Sequence, residues 1–354
     1  MLRVLRHSAF ITIATIAAAA CGDNPVAPGE RYGDAFSRMW EAFDAQYPSF
    51  GLKGVDWASI RAQYAGPAAG AASTSAFIDV VKTALAPLRD GHAYLLSPGG
   101  QSIPTFTSSR FVNWDQTVWL QYAAQGGWIQ AKPNLGWAEF AGVAYIAIGG
   151  WNSAQFSAAD VDQILERFRG RSHLIIDVRP NPGGDDQLAR DVAARFTPVP
   201  VTGEYLQFRN GPRHDDLTPE TPRTIQPRGT WQFTGTVHVL AGRRSASSNE
   251  TFVAFMREMP HVAVVGDTTA GSSGNPQFVD LVDGWRVGVP RWIVRTADRK
   301  VVEGAGIAPD LYVPLVAADF EAGRDPVLDY SVGFLREAGA RGAPRAGPRF
   351  AKAR

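Results

Sequence analysis

Beyond about residue 140 the chain alternates two kinds of apolar pattern, and this alternation restricts the fold more than any other feature. Val143 to Ile148, Leu174 to Ile176, Val237 to Leu240 and Val262 to Val265 are short and almost wholly apolar. Strands of that kind are buried on both faces, as in a parallel sheet covered by helices. Between them Val161, Ile164, Leu165 and Phe168 recur at helical spacing, as do Leu188, Val192 and Phe196, then Phe252, Met256 and Met259. Strand–helix–strand order of this kind predicts an α/β core over residues 141–335.

The earlier part reads differently. Phe36, Met39, Trp40 and Phe43 make one helical face, and Phe77, Val80, Val81, Ala84, Leu85 and Leu88 make another. Residues 34–96 are therefore expected as a helical domain. Residues 97–140 are aromatic and turn-rich, which predicts short strands connecting the two parts. Hydrophobic residues make up 45% of the chain and charged residues 19%, enough apolar surface for a buried core. The formal net charge is +1, so no basic field marks a nucleic-acid partner. The exception is the arginine-rich end, 336–354, where Gly, Ala and Pro predict a disordered basic tail.

Arg3 and Arg6 precede an apolar run from Ser8 to Ala20, too short to span a bilayer comfortably, which takes ~20 residues. This reads as a signal peptide, 1–20. Cys21 follows Ala18-Ala19-Ala20 and resembles the lipidated cysteine of a bacterial lipobox. It is also the single cysteine, so neither an internal disulfide nor a multi-cysteine zinc site is available. Residues 21–33, rich in Gly, Pro and charge, are expected as a tether. The expected location is the cell envelope, exported and lipid-anchored.

Four segments carry candidate chemistry. AGRRSASSNE, 241–250, follows a strand and opens a helix, where free N–H groups converge and suit a developing oxyanion. Ser247-x-x-Glu250 is equally a capping box, so a nucleophile and a helix cap both remain open there. LRDGHAY places His92 just after a helix, and an imidazole near neutral pKa is the group a serine nucleophile needs. LIIDVRPNPGGDD runs a buried strand into Gly183-Gly184, where backbone can approach a ligand closely and present N–H groups. In VVEGAGIAPD, Glu303 precedes a glycine-rich turn and is an acid available to orient an imidazole.

Taken in this order, the segments resemble the serine peptidase family of the C-terminal processing proteases, the tricorn core and interphotoreceptor retinoid-binding protein. The resemblance implies a Clp protease/crotonase-like ββα-repeat core preceded by a helical domain. It implies Ser247 as nucleophile, with Ser245 as the nearby competitor. The processing branch takes its base from a lysine in Thr-x-Gly-Lys-Gly, but here Thr269-Ala270-Gly271-Ser272-Ser273 lacks it. The tricorn-like branch uses a histidine and a glutamate at the positions of His92 and Glu303. Its core also has a serine just before the histidine, where this chain has Gly91. About fifty residues separate His92 from Val143, too few for a PDZ domain of usual size. The resemblance thus implies a Ser-His-Glu peptidase acting on peptides or unfolded protein, with oxyanion donors from Ser248 and from Gly183 or Gly184. No cofactor or metal is implied. The alternative is a non-catalytic binding protein on the same scaffold. Ser-x-x-Lys, Gly-x-Ser-x-Gly and His-Glu-x-x-His are all absent, which argues against other hydrolase classes.

Overall fold

The computed structural model describes residues 28–340. The expected signal peptide, Cys21, the start of the tether and the tail beyond 340 lie outside the described residues. The first helix, α1 (Pro28–Gln46), begins inside the stretch expected as a tether. It is followed by α2 (Phe50–Lys53), α3 (Trp57–Ala69) and α4 (Thr74–Leu85). Phe36, Met39 and Phe43 are buried, as their spacing requires, while Trp40 is half-buried. The Trp40 indole donates to the Trp57 carbonyl at 2.9 Å and the Trp57 indole donates to the Trp40 carbonyl at 3.0 Å, tying α1 to α3. Ser73 caps α4 by accepting from the Ala76 N–H. Phe77, Val81 and Leu85 on that helix are fully buried, each contributing about 1.5–3 kcal/mol relative to exposure.

After α4 the chain turns through Arg89, whose φ of 47° is left-handed, into β1 (Leu95–Leu96) and β2 (Ser102–Ile103). Residues 97–140 are not only strands. They hold α5 (Gln116–Gln125), then β3 (Ile129–Lys132) and β4 (Leu135–Phe140), and the last two join the main sheet. The core continues as β5 (Val143–Ile148), α6 (Ala158–Arg167), β6 (His173–Asp177), α7 (Asp186–Ala193), β7 (Val201–Phe208) and β8 (Thr221–Ile225). Then come β9 (Thr236–Ala241), α8 (Ser248–Arg257), β10 (Val262–Gly266), β11 (Gln277–Asp280), β12 (Arg286–Val289) and β13 (Trp292–Thr296). The described chain closes with β14 (Leu311–Tyr312), α9 (Ala317–Glu321) and α10 (Pro326–Ala340), the last passing the expected start of the tail.

The main sheet has seven strands in the order β14-β10-β9-β6-β5-β4-β3. It is parallel from β14 to β5 and antiparallel across β5, β4 and β3. Alternate strand residues face opposite layers. Ile146, Ile176, Val239 and Val264 pack with Ile164, Leu188 and Phe252 of α6, α7 and α8. Tyr145, Ile175, Leu240 and Val265 pack with Val327 and Leu335 of α10. This is a mixed α/β core with a helical N-terminal region, as the sequence implies.

Two smaller sheets complete the fold, β13-β7-β8 and β11-β12-β1-β2. The second matters for the site. β1 pairs with β12, with Leu95 opposite Val287, and Val287 and Val289 share one apolar cluster with Phe36 and Phe77. The helical region is thereby fastened to the core beside the loop that carries His92. The parallel strands β6, β9 and β10 end side by side, at Asp177, Ala241 and Gly266. Loops leaving the carboxyl ends of neighbouring parallel strands converge, and that is where open α/β sheets place their ligands.

Candidate active site

The loop after β9 carries Ser247 and the loop after β6 carries the glycines. The two are bolted together. Ser245 is fully buried, and its hydroxyl donates to the Val178 carbonyl at 3.0 Å while accepting from the Gly242 N–H. That hydroxyl is committed to the backbone and, among the described residues, makes no contact with His92. Asn249 donates to the carbonyls of Val178 and Asn181 and accepts from the Trp151 indole. Held between these anchors, Ser247 has φ 56° and ψ −130°, a strained conformation for a residue with a side chain. The turn projects its side chain from the start of α8. A Cβ at Gly183 would lie 2.7 Å from the Ser247 Cβ, so only glycine fits opposite.

His92 comes from the helical side of the molecule, 155 residues earlier. Its Nε2 lies 3.0 Å from Ser247 Oγ. Asp90 fixes the histidine loop: its Oδ1 accepts the His92 N–H at 2.8 Å, and its Oδ2 accepts from the Tyr47 hydroxyl at 3.0 Å. Burial pushes the imidazole below its ordinary value of 6.5, opposed by the Asp90 charge. The shift favours the neutral imidazole, the state a general base requires.

Ser247 occupies the N-cap of α8 and still leaves its hydroxyl to the histidine. Glu250 reaches back to the Ser247 N–H at 3.3 Å, as the box predicts, while the hydroxyl faces His92. Glu250 does more than cap. It also accepts from the Thr269 hydroxyl and from the N–H groups of Gly271 and Ser272, which shapes the loop after β10. Burial pushes its carboxyl up to about 7 against these donors.

Two expected contacts are not made. Glu303 was the acid expected on His92, but its oxygens are taken by Lys53 Nζ at 2.6 Å and by the Ser273 N–H at 3.0 Å. The His92 Nδ1 faces Ser272 Oγ instead, at 3.1 Å. Burial and the Asp90 carboxylate raise the Glu303 carboxyl, and Lys53 opposes them. The Gly183 N–H, expected as an oxyanion donor, is held by Asn181 Oδ1 at 2.8 Å. Gly184 and Ser248 stay close, with the Ser248 hydroxyl donating to the Gly184 carbonyl at 2.7 Å. The Ser248 N–H opens α8 and is one of the first-turn donors that a helix leaves free.

Lys53, Asp90 and Ser272 were not singled out as site residues from the sequence. Lys53 lay in an ordinary loop pattern, and Ser272 was visible only as a missing lysine. A cavity of about 500 Å³ opens beside them, lined by Leu52, Lys53, Phe106, Val112 and the 270–272 loop. Among the described residues, no helix is long and apolar enough to cross a membrane, and no cluster of His, Cys, Asp and Glu is arranged to hold a metal ion.

Comparison with known proteins places likenesses over both the helical region and the core. The profile of peptidase family S41 matches residues 142–313, and that of the tricorn protease C1 domain matches residues 28–86. The carboxy-terminal processing protease CtpB of Bacillus subtilis is 28% identical over 175 residues, 48% of this chain and 34% of that protein. The chain thus spans about a third of the length of the curated relatives it matches. A solved structure of a Parabacteroides merdae protein taken to be a peptidase superposes with a TM-score of 0.77 at 27% identity, over 87% of this chain and 98% of that one. The solved tricorn protease shares the fold, with a TM-score of 0.58 at 14% identity over 87% of this chain and 37% of that one. The family profile lies over the parallel sheet, the glycine loop and the Ser247 turn together, and just under half of the chain is similar to peptidase family S41.

Proposed function

We propose that this chain is a serine peptidase that cleaves peptides or unfolded protein in the cell envelope. The observation that carries the reading is the 3.0 Å approach of His92 Nε2 to Ser247 Oγ. Ser247 Oγ attacks the scissile carbonyl as His92 takes its proton. The oxyanion that forms is met by the N–H groups of Ser248 and Gly184. His92 then protonates the leaving amine, leaving an acyl-Ser247 ester. Water attacks that ester, its proton passes to His92, and the proton returns to Ser247 as the acid leaves. The cavity beside Ser272 receives part of the substrate. Digestion of a mixed peptide library, read by mass spectrometry, tests the reading. Fragments are expected from the wild type and not from Ser247→Ala. Equal fragments from both would refute the assignment, and none from either would favour the binding-protein alternative.

The envelope location rests on the leader and on Cys21. Fatty acid attached there would hold the peptidase at a membrane surface through its tether. Radiolabelled fatty acid is expected to enter the wild type and not Cys21→Ala. Equal label in both would remove the anchor.

A further inference from the structure

The site contains a serine with no assigned role, and its surroundings give it one. Ser272 is fixed at three points. Its N–H donates to Glu250 Oε2 at 2.8 Å, its carbonyl accepts the Ser247 N–H at 2.8 Å, and its Oγ lies 3.1 Å from His92 Nδ1. One residue therefore sets the nucleophile and the base against each other.

We propose that Ser272 is a positioning residue that holds His92 in its productive tautomer, and that residue 91 is glycine because the Ser272 hydroxyl occupies the space its side chain would need. The inference rests on the Ser247–His92 reading above. For Nε2 to accept the Ser247 proton it must be bare, so the ring hydrogen sits on Nδ1 and needs an acceptor. Among the described residues the oxygen at Nδ1 is Ser272 Oγ, while Glu303 is occupied by Lys53 and Ser273. A Cβ built at Gly91 would lie 2.4 Å from Ser272 Oγ and 3.3 Å from its Cβ. A side chain at 91 and the Ser272 hydroxyl in the rotamer that faces His92 exclude each other. The same small volume can be filled by a hydroxyl from either position. The charged groups around the ring are Asp90 on its own loop, Glu250 beneath the 271–272 backbone, and the Lys53–Glu303 pair beyond Ser273.

The rate at which a fluorophosphonate probe labels the full-length protein, followed across pH, tests the proposal. Ser272→Ala should label about tenfold more slowly, the worth of one hydrogen bond to a group that becomes charged. Its acid limb should move to lower pH, because imidazolium loses an acceptor. Ser272→Thr, which keeps the hydroxyl, should stay near the wild-type rate. Gly91→Ser alone should label slowly, because two side chains compete for one volume. The double variant Gly91→Ser with Ser272→Gly should recover most of the wild-type rate, an outcome that a purely structural role for Ser272 does not predict. Wild-type rate and pH profile in Ser272→Ala would overturn the proposal. So would a folded double variant, or Ser272→Thr, no faster than Ser272→Ala. A wild type that never labels would instead overturn the Ser247–His92 reading, and this inference with it.

Discussion

Replacing His92 with alanine is expected to lower kcat/KM on a cleaved peptide by about 10⁴–10⁶-fold, the range seen when the base of a nucleophile–base pair is removed. The fall should appear mainly in kcat, because the hydroxyl loses its proton acceptor while the walls of the site stay in place. His92 lies in a loop already secured by Asp90 and Tyr47, so the fold should survive the change. The wild-type pH profile carries a linked expectation. Burial lowers the His92 pKa, so the acid limb should fall below 6.5 and activity should persist into mildly acidic buffer. Steady-state kinetics across pH, with melting curves as the control for folding, check both points. Retention of wild-type turnover in His92→Ala would remove the histidine from the mechanism.

The largest effect on stability is expected at Arg179, just before the glycine loop. Its guanidinium is fully buried between two carboxylates. It pairs with Asp325 through two contacts of 2.8 Å and with Asp177 through contacts of 3.0 and 2.6 Å. Asp177 also accepts from the Tyr145 hydroxyl, which accepts in turn from the Trp119 indole. Arg179→Met would leave two buried carboxylates facing each other with no cation. Breaking such a network from one side costs about 3–5 kcal/mol. Neutralising the partners as well, with Asp177→Asn and Asp325→Asn, should return part of that loss, because the penalty lies in the stranded charges. Urea denaturation measures both. A change below about 1 kcal/mol in Arg179→Met would mean that water or a shift of α10 relieves the carboxylates.

The parts of this molecule legible in the sequence are those whose signal is local. The strands ending at Asp177 and Ala241 and the helical faces around Phe36 and Phe77 announce themselves by period. Ser247 and His92 stand in short segments with recognisable neighbours. What escaped depends on long-range pairing. β3 and β4 extend the main sheet by antiparallel pairing that no local pattern specifies. The helix from Gln116 has a weakly segregated apolar face, with only Val118 and Ala123 buried, so its aromatic neighbours read as strand instead. In the site, Glu303 has the residue type expected of an orienting acid, but Lys53, 250 residues away in sequence, claims it. Gly183 keeps its required conformation, yet its N–H turns to an asparagine two residues back. Backbone identity was legible there, whereas hydrogen-bond direction was not. Ser272 shows the same limit from the other side, since an absent lysine gave no hint that a hydroxyl stood in contact with the base.

The central claim is that Ser247 is the nucleophile, and covalent labelling tests it most directly. The wild type, Ser247→Ala and Ser245→Ala would each be treated with a fluorophosphonate, digested, and the adduct located by mass spectrometry. The account predicts an adduct on Ser247 in the wild type, none in Ser247→Ala, and an unmoved adduct in any Ser245→Ala that remains folded, since the Ser245 hydroxyl is spent on Val178 and Gly242. An adduct on Ser245, or labelling that persists in Ser247→Ala, would contradict it.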